Sequence, residues 1–217
     1  MGNIEFYTLE NTSAAEIVEK RSKFIANAYH INNKEEAENK INELKKKYYD
    51  AKHNCFAFSF LDYNDSTVEK CSDDGEPSGT AGAPILNVIK KNNLNNILIV
   101  VTRYFGGILL GTGGLTRVYS ATASAAVENA TIIKQEKGLE ALIEIDYSDN
   151  EKFKYYCVKN NINIIDVQYA ETIFYKIEIN EEEYKNMIGN NNSKDEQFAF
   201  NIKDNRVICR KFIKKAV

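Results

Sequence analysis

Between residues 22 and 61 the hydrophobic period of the chain changes twice. SKFIANAYHI reads as an extended stretch. NNKEEAENKINELKKKYYD then repeats Ala37, Ile41, Leu44 and Tyr48 at helical spacing behind an Asn and an acidic start, which predicts an amphipathic helix with a solvated outer face. HNCFAFSFLD returns to period two, with Cys55, Ala57, Ser59 and Leu61 on one side and Phe56, Phe58 and Phe60 on the other. That alternation predicts a strand, with TVEKCS as its hairpin partner. NNILIVVTRYF is a continuous β-branched run, too short for a lone helix of that apolarity and suited to a buried central strand. Beyond it GGLTRVYSATASAAVENA is rich in Ala and Ser. It predicts a helix starting near Gly113, with Thr112 as its cap, that packs closely on a sheet.

Around QEKGLEAL the pattern changes. LEALIEIDY alternates, DNEKFKYYCVKNN begins with capping residues, INIIDVQYA and IFYKIEIN alternate again, EEEYKNMIGNNN reads as a short helix and VICRKFI closes the set. The order strand, helix, strand, strand, helix, strand predicts a split-βαβ, ferredoxin-like sandwich. Two domains are expected, 1–135 and 136–217. The stretch from Gln135 to Gly138 holds few turn residues, so the join between them should be tight.

A chain of 217 residues with 43% hydrophobic content has enough apolar material for this arrangement. It contains no apolar run long enough to span a bilayer, and its first residues hold acids and amides where a secretory signal needs an apolar block. A cytoplasmic protein with no membrane partner is expected. The cysteines at 55, 71, 157 and 209 are scattered without a CxxC or CxxH pair and read as buried thiols, so neither metal nor cofactor is expected. The net charge of -3 excludes a global positive field, and any nucleic-acid contact must come from a local patch.

Two segments carry candidate chemistry. In SDDGEPSGTAGAPIL, acids, glycines and a proline stop any regular strand or helix, so a shaped loop is required. Asp73, Asp74 and Glu76, with Ser78 behind them, either cap turns and the following helix, orient arginines from another segment, or hold a hard cation. In VTRYFGGILLGTGGLTRVYS the glycines let backbone amides approach a ligand at a helix start, a site that favours anions. Arg103 and Arg117 are expected to converge on an anion held by the amides of Gly113 and Gly114. In the alternative, the glycines serve helix-sheet packing and the arginines close on the acidic turn. Tyr104 and Phe105 are placed to stack on a base.

Walker, Rossmann, GxSxG and HExxH signatures are all absent. Only His30 and His53 offer imidazoles, and His53, beside Lys52, reads as structural or anion-contacting. No catalytic residue is assigned.

EKRSKFIA, HNCFAF, SDDGEPSGTAG and VVTRYFGGILLGTGGLTRVYS, taken in this order, resemble the blocks of the IMPACT family in its bacterial, YigZ-type branch, over essentially the whole chain. The resemblance implies an α+β fold with an N-terminal domain of the ribosomal-protein domain 2-like βαβ class. It also implies a C-terminal ferredoxin-like βαββαβ domain similar to the last domain of elongation factor G. Eukaryotic members regulate translation under amino-acid starvation through an additional N-terminal module, which this chain is expected to lack. The shared positions are Arg21, Lys23, His53, Asp73, Asp74, Glu76, Arg103, Gly113, Gly114 and Arg117. Leu110 stands where members often carry lysine, and Ala83 where some are basic, which weakens a phosphate patch by about one counterion per missing contact.

The expected function is therefore translation-related regulation. It would act by binding RNA, the ribosome or a phosphate-bearing ligand, with a protein partner in the translation machinery as a further expectation. The alternative is a metal-assisted enzyme acting on a small phosphorylated or acidic substrate. A third reading gives the C-terminal domain a protein-docking role by addition of a strand to an edge. A proline dipeptidase would need a cluster of His and carboxylate ligands that two histidines so placed do not supply.

Overall fold

The structure, a computed structural model, describes residues 5–62, 66–190 and 200–214. The chain divides into two compact units, one of Phe6–Ile133 and one of Met1–Glu5 with Lys134–Val217. Along the first part run β1 (Glu5–Leu9), β2 (Ser13–Glu19), β3 (Ser22–His30), α1 (Lys34–Lys47), β4 (His53–Leu61), β5 (Thr67–Ser72), α2 (Gly82–Lys91), β6 (Ile97–Tyr104) and α3 (Gly111–Glu128). Strands β2 to β6 assemble in the order β2-β3-β6-β4-β5, with every neighbouring pair antiparallel, and β1 is not part of this sheet.

The central place of β6 follows from its continuous apolar run, which fills two cores at once: Ile97, Ile99 and Val101 face one, Leu98 and Val100 the other. On β4 the predicted alternation sorts the same way. Cys55 and Ala57 face α2 and α3, while Phe56, Phe58 and Phe60 meet α1 through Ala37, Ile41 and Leu44. The α3 side is built from small residues, Ala26, Ala28 and Ala57 on the sheet and Ala123 and Ala126 on the helix, and these let the helix backbone lie close to the strands. Helix α1 starts where Asn33 accepts the Glu36 amide at 2.9 Å, and its terminal charges suit the helix dipole.

Three expectations are corrected here. Helix α3 begins at Gly111 rather than near Gly113, so Thr112 lies inside the first turn; the capping position is Leu110, whose side chain cannot bond an amide. The reason is Gly111 itself, whose φ of +71° turns the chain into the helix one residue before Thr112. Cys71 and Cys209 are exposed rather than buried, Cys71 because β5 lies at the sheet edge.

The second unit contains β7 (Ile132–Ile145), a short 3-10 turn, α4 (Asn150–Lys159), β8 (Asn163–Tyr169), β9 (Ile173–Asn180), α5 (Glu181–Asn190) and β10 (Ile202–Lys214). β10 pairs with β7, β7 with β9 and β9 with β8, all antiparallel, which is the spatial order of a ferredoxin-like sandwich. Leu139, Ala141, Ile143 and Ile145 of β7, with Tyr175, Ile177 and Ile179 of β9, close over Phe153, Cys157 and Met187 of the helices. β7 runs unbroken through Gln135 to Gly138. Of the helix expected over EEEYKNMIGNNN, Asn191 and Asn192 lie outside the described residues.

Candidate functional site

The acidic loop between β5 and α2 is held by its own carboxylates. Asp73 accepts the amides of Gly79, Ala81 and Gly82 at 2.8, 3.0 and 2.8 Å and so supplies the cap that Ala81 lacks at the start of α2. Burial raises its pKa, but the three amides together outweigh burial and leave it below the usual carboxylate value. Asp74, at φ +41°, accepts the Asn54 amide at 2.7 Å and the Lys45 ammonium at 2.8 Å. Ser78 is exposed. Among the described residues no three His, Cys, Asp or Glu side chains stand together as a metal-ligand set.

Glu76 turns inward. Its Oε1 accepts Arg103 Nη1 at 2.6 Å and the Tyr119 hydroxyl at 2.8 Å, with the Arg103 and Glu76 side chains only 6% and 3% exposed. Arg103 reaches Ser22 Oγ at 3.4 Å, and its guanidinium lies 5.3 Å from the Phe24 ring and 5.5 Å from Phe105. Burial, with Cys55 and Glu76 beside it, raises the pKa of Tyr119, and burial pushes the Cys55 thiol up to about 12. Both stay protonated at neutral pH. Of the readings left open by the sequence, arginine pairing holds for Glu76 and capping for Asp73.

The expected convergence of Arg103 and Arg117 does not occur. Arg117, 70% exposed, pairs with Glu19 of β2 at 3.1 Å, because the second turn of α3 carries it over that strand. Lys23 pairs with Glu16 at 2.8 Å. Tyr104 donates to Asp50 at 2.8 Å, which raises its pKa. Arg21 is exposed at φ +67°, and its backbone packs on Gly106, where a Cβ would lie 2.1 Å from the Arg21 carbonyl.

Beside the Arg103–Glu76 pair opens a pocket of about 350 Å³. Lys52 and His53 border it from the start of β4, Glu76 and Pro77 from the acidic loop, and Arg103 and Phe105 from the end of β6. Its last wall is Leu109, Leu110, Gly111, Thr112 and Leu115 around the start of α3. His53 Nδ1 lies 2.9 Å from the Asp74 carbonyl, which can only accept, so this nitrogen carries a proton. Nε2 stands 4.0 Å from Glu76 Oε1. The second Glu76 oxygen, Oε2, has no hydrogen-bond partner among the described residues.

At the same pocket α3 presents a first turn with no acidic residue and no side-chain cap, and Gly113 there is exposed with open space around it. Thus His53, Glu76, Arg103 and Thr112 come together at the pocket, and Gly113 and Gly114 lie in the adjoining helical turn. Arg117, Lys23 and Tyr104 do not line it. Tyr119, bonded to Glu76, and the exposed Leu109 were not singled out from the sequence. Among the described residues no helix is long and apolar enough to cross a membrane.

Residues 20–127 match the Impact N-terminal domain, and residues 143–188 match a domain of unknown function, DUF1949. The IMPACT family member YvyE of Bacillus subtilis is 34% identical over 82% of this chain and 81% of its own. YigZ of Escherichia coli, of the same family, is 36% identical over 59% of this chain and 63% of its own. A crystal structure of a hypothetical protein is alike over 91% of this chain and 96% of its own, at 25% identity and a TM-score of 0.61. With its Impact N-terminal domain and these relatives, the chain belongs to the IMPACT family.

Proposed function

We propose that this protein serves translation control by binding, and that its N-terminal unit holds a phosphate-bearing ligand, RNA in the first instance, at the start of α3. Membership of the IMPACT family supports the translation setting, together with a cytoplasmic location and a partner in the translation machinery. One observation carries the ligand reading: the uncapped, acid-free first turn of an 18-residue helix opens beside a solvent-facing pocket bordered by Lys52. Bare amides at a helix start, with the positive end of its dipole, attract an anion. Arg103 takes no direct part, since Glu76 already neutralises it. Metal-assisted chemistry has less support, because Asp73 and Asp74 are engaged with backbone amides and Lys45.

Fluorescence titration of a labelled, structured RNA tests the proposal. Affinity should fall as salt rises, and Lys52→Ala should weaken binding and flatten the salt dependence by about one counterion. Salt-independent affinity, or no binding at low salt, would refute it.

A further inference from the structure

We infer that the interior of the pocket at the start of α3 binds an apolar monocarboxylate, a single carboxylate carried on a small hydrophobic body. This goes beyond the phosphate reading, which concerns the pocket mouth and an RNA backbone. The pocket's 350 Å³ lies within the range of small-molecule sites, about 300–1,000 Å³. Pro77, Phe105, Leu109, Leu110 and Leu115 make up much of its wall. Of these, Phe105 is 50% exposed and Leu109 81% exposed. Large apolar side chains left open in the wall of a cavity are stabilised when an apolar group covers them, and a sugar phosphate offers little such surface.

The polar groups of the wall set the charge of the ligand. Glu76 answers the charge of Arg103, accepting from Nη1 at 2.6 Å, and Nη2 lies 3.4 Å from Ser22 Oγ. The remaining nitrogen of that guanidinium, Nε, is buried and has no hydrogen-bond partner among the described residues. An unmet donor in a pocket-lining side chain costs free energy that an acceptor on a ligand recovers. Lys52, exposed at the border, makes no ion pair among the described residues, so Lys52 and Arg103 set against Glu76 leave one positive charge unmatched. The uncapped first turn of α3, which enters the wall at Gly111 and Thr112, adds N–H donors and the positive end of the helix dipole. Donors and one spare positive charge, set in an apolar wall, match one carboxylate on a hydrophobic body. A phosphate monoester, with nearly two negative charges, and a neutral apolar compound each leave part of this wall unanswered. A free small acid and the C-terminal residue of a polypeptide ending in an apolar side chain share this chemistry.

Calorimetric titration of the full chain with isocaproate, its primary amide and acetate tests the inference. Isocaproate should bind at least about tenfold more tightly than the amide, which keeps the body and loses the charge. It should exceed acetate by at least the same factor, since each methylene taken out of water contributes about fourfold. Lys52→Ala should weaken isocaproate several-fold, and Leu109→Ala, at an exposed position, should do likewise with an unchanged melting temperature. A hexapeptide ending in leucine with a free carboxyl group assigns the source. Tighter binding than isocaproate points to a polypeptide C-terminus, equal or weaker binding to a free small acid, and both support the assignment. Equal affinity for isocaproate and its amide, or for isocaproate and acetate, would overturn it, as would no binding of either isocaproate or the peptide. A labelled RNA titrated in parallel keeps the two readings apart. Carboxylate binding without RNA binding refutes only the phosphate reading, and salt-dependent RNA binding without carboxylate binding refutes only the carboxylate site.

Discussion

Charged residues that look alike in the sequence play unlike parts. Arg103 and Arg117 sit in one glycine-rich block, yet one is buried against Glu76 and the other lies exposed beside Glu19. Arg103→Ala would leave a carboxylate buried without its counter-charge and should destabilise the protein by about 3–5 kcal/mol in urea denaturation. Arg117→Ala removes a solvent-screened pair and should change stability by less than about 1 kcal/mol. Asp73 gives a pH-dependent prediction. Its folded pKa is lowered, so its stabilising effect is complete above the unfolded carboxylate value, about 3.9, and is lost as pH falls below that toward the folded value. Asp73→Asn should cost about 1–2 kcal/mol at neutral pH, and the gap from the parent protein should narrow in urea titrations as pH falls from about 5 to about 3.

At the scale of elements, β4, β6, α1 and the whole C-terminal order were legible because each has a long, unmixed period and clear caps. β1 and β2 were not legible: both are short, and in β2 the inward positions include Ser13 and Glu19 while the outward ones include Ala14 and Val18, which weakens the alternation. The acidic loop was legible as a loop but not as three separate devices, since nothing local to SDDGEP says that Glu76 will meet an arginine 27 residues further on. The pocket was out of reach for the same reason: its walls come from the start of β4, the β5–α2 loop and the β6–α3 turn, which only the folded sheet brings together. Gly106 shows what this turn demands. A methyl group there would sit 2.1 Å from the Arg21 carbonyl carbon, so Gly106→Ala must displace the turn. A lowered melting temperature and loss of RNA binding together are the expected result.

On the scale of the molecule, a net charge of -3 means that any attraction for a polyanion is local and must overcome the long-range field. Few contacts are therefore expected, and a shallow salt slope of about 0.7 per neutralised phosphate on single-stranded RNA. The central claim is that bare amides at the start of α3 receive the phosphate. Gly113 is the place to test it, because an added side chain there meets nothing within 4 Å. Replacing glycine in a helix should stabilise it by up to about 1 kcal/mol, and a carboxylate in the first turn adds a few tenths, while the same carboxylate occupies the anion's position. The decisive measurement is a titration of one labelled RNA at low salt with the parent protein and with Gly113→Glu, alongside melting curves of both. The predicted result is an equal or higher melting temperature with affinity reduced at least about tenfold; undiminished affinity in a stably folded Gly113→Glu protein would contradict it.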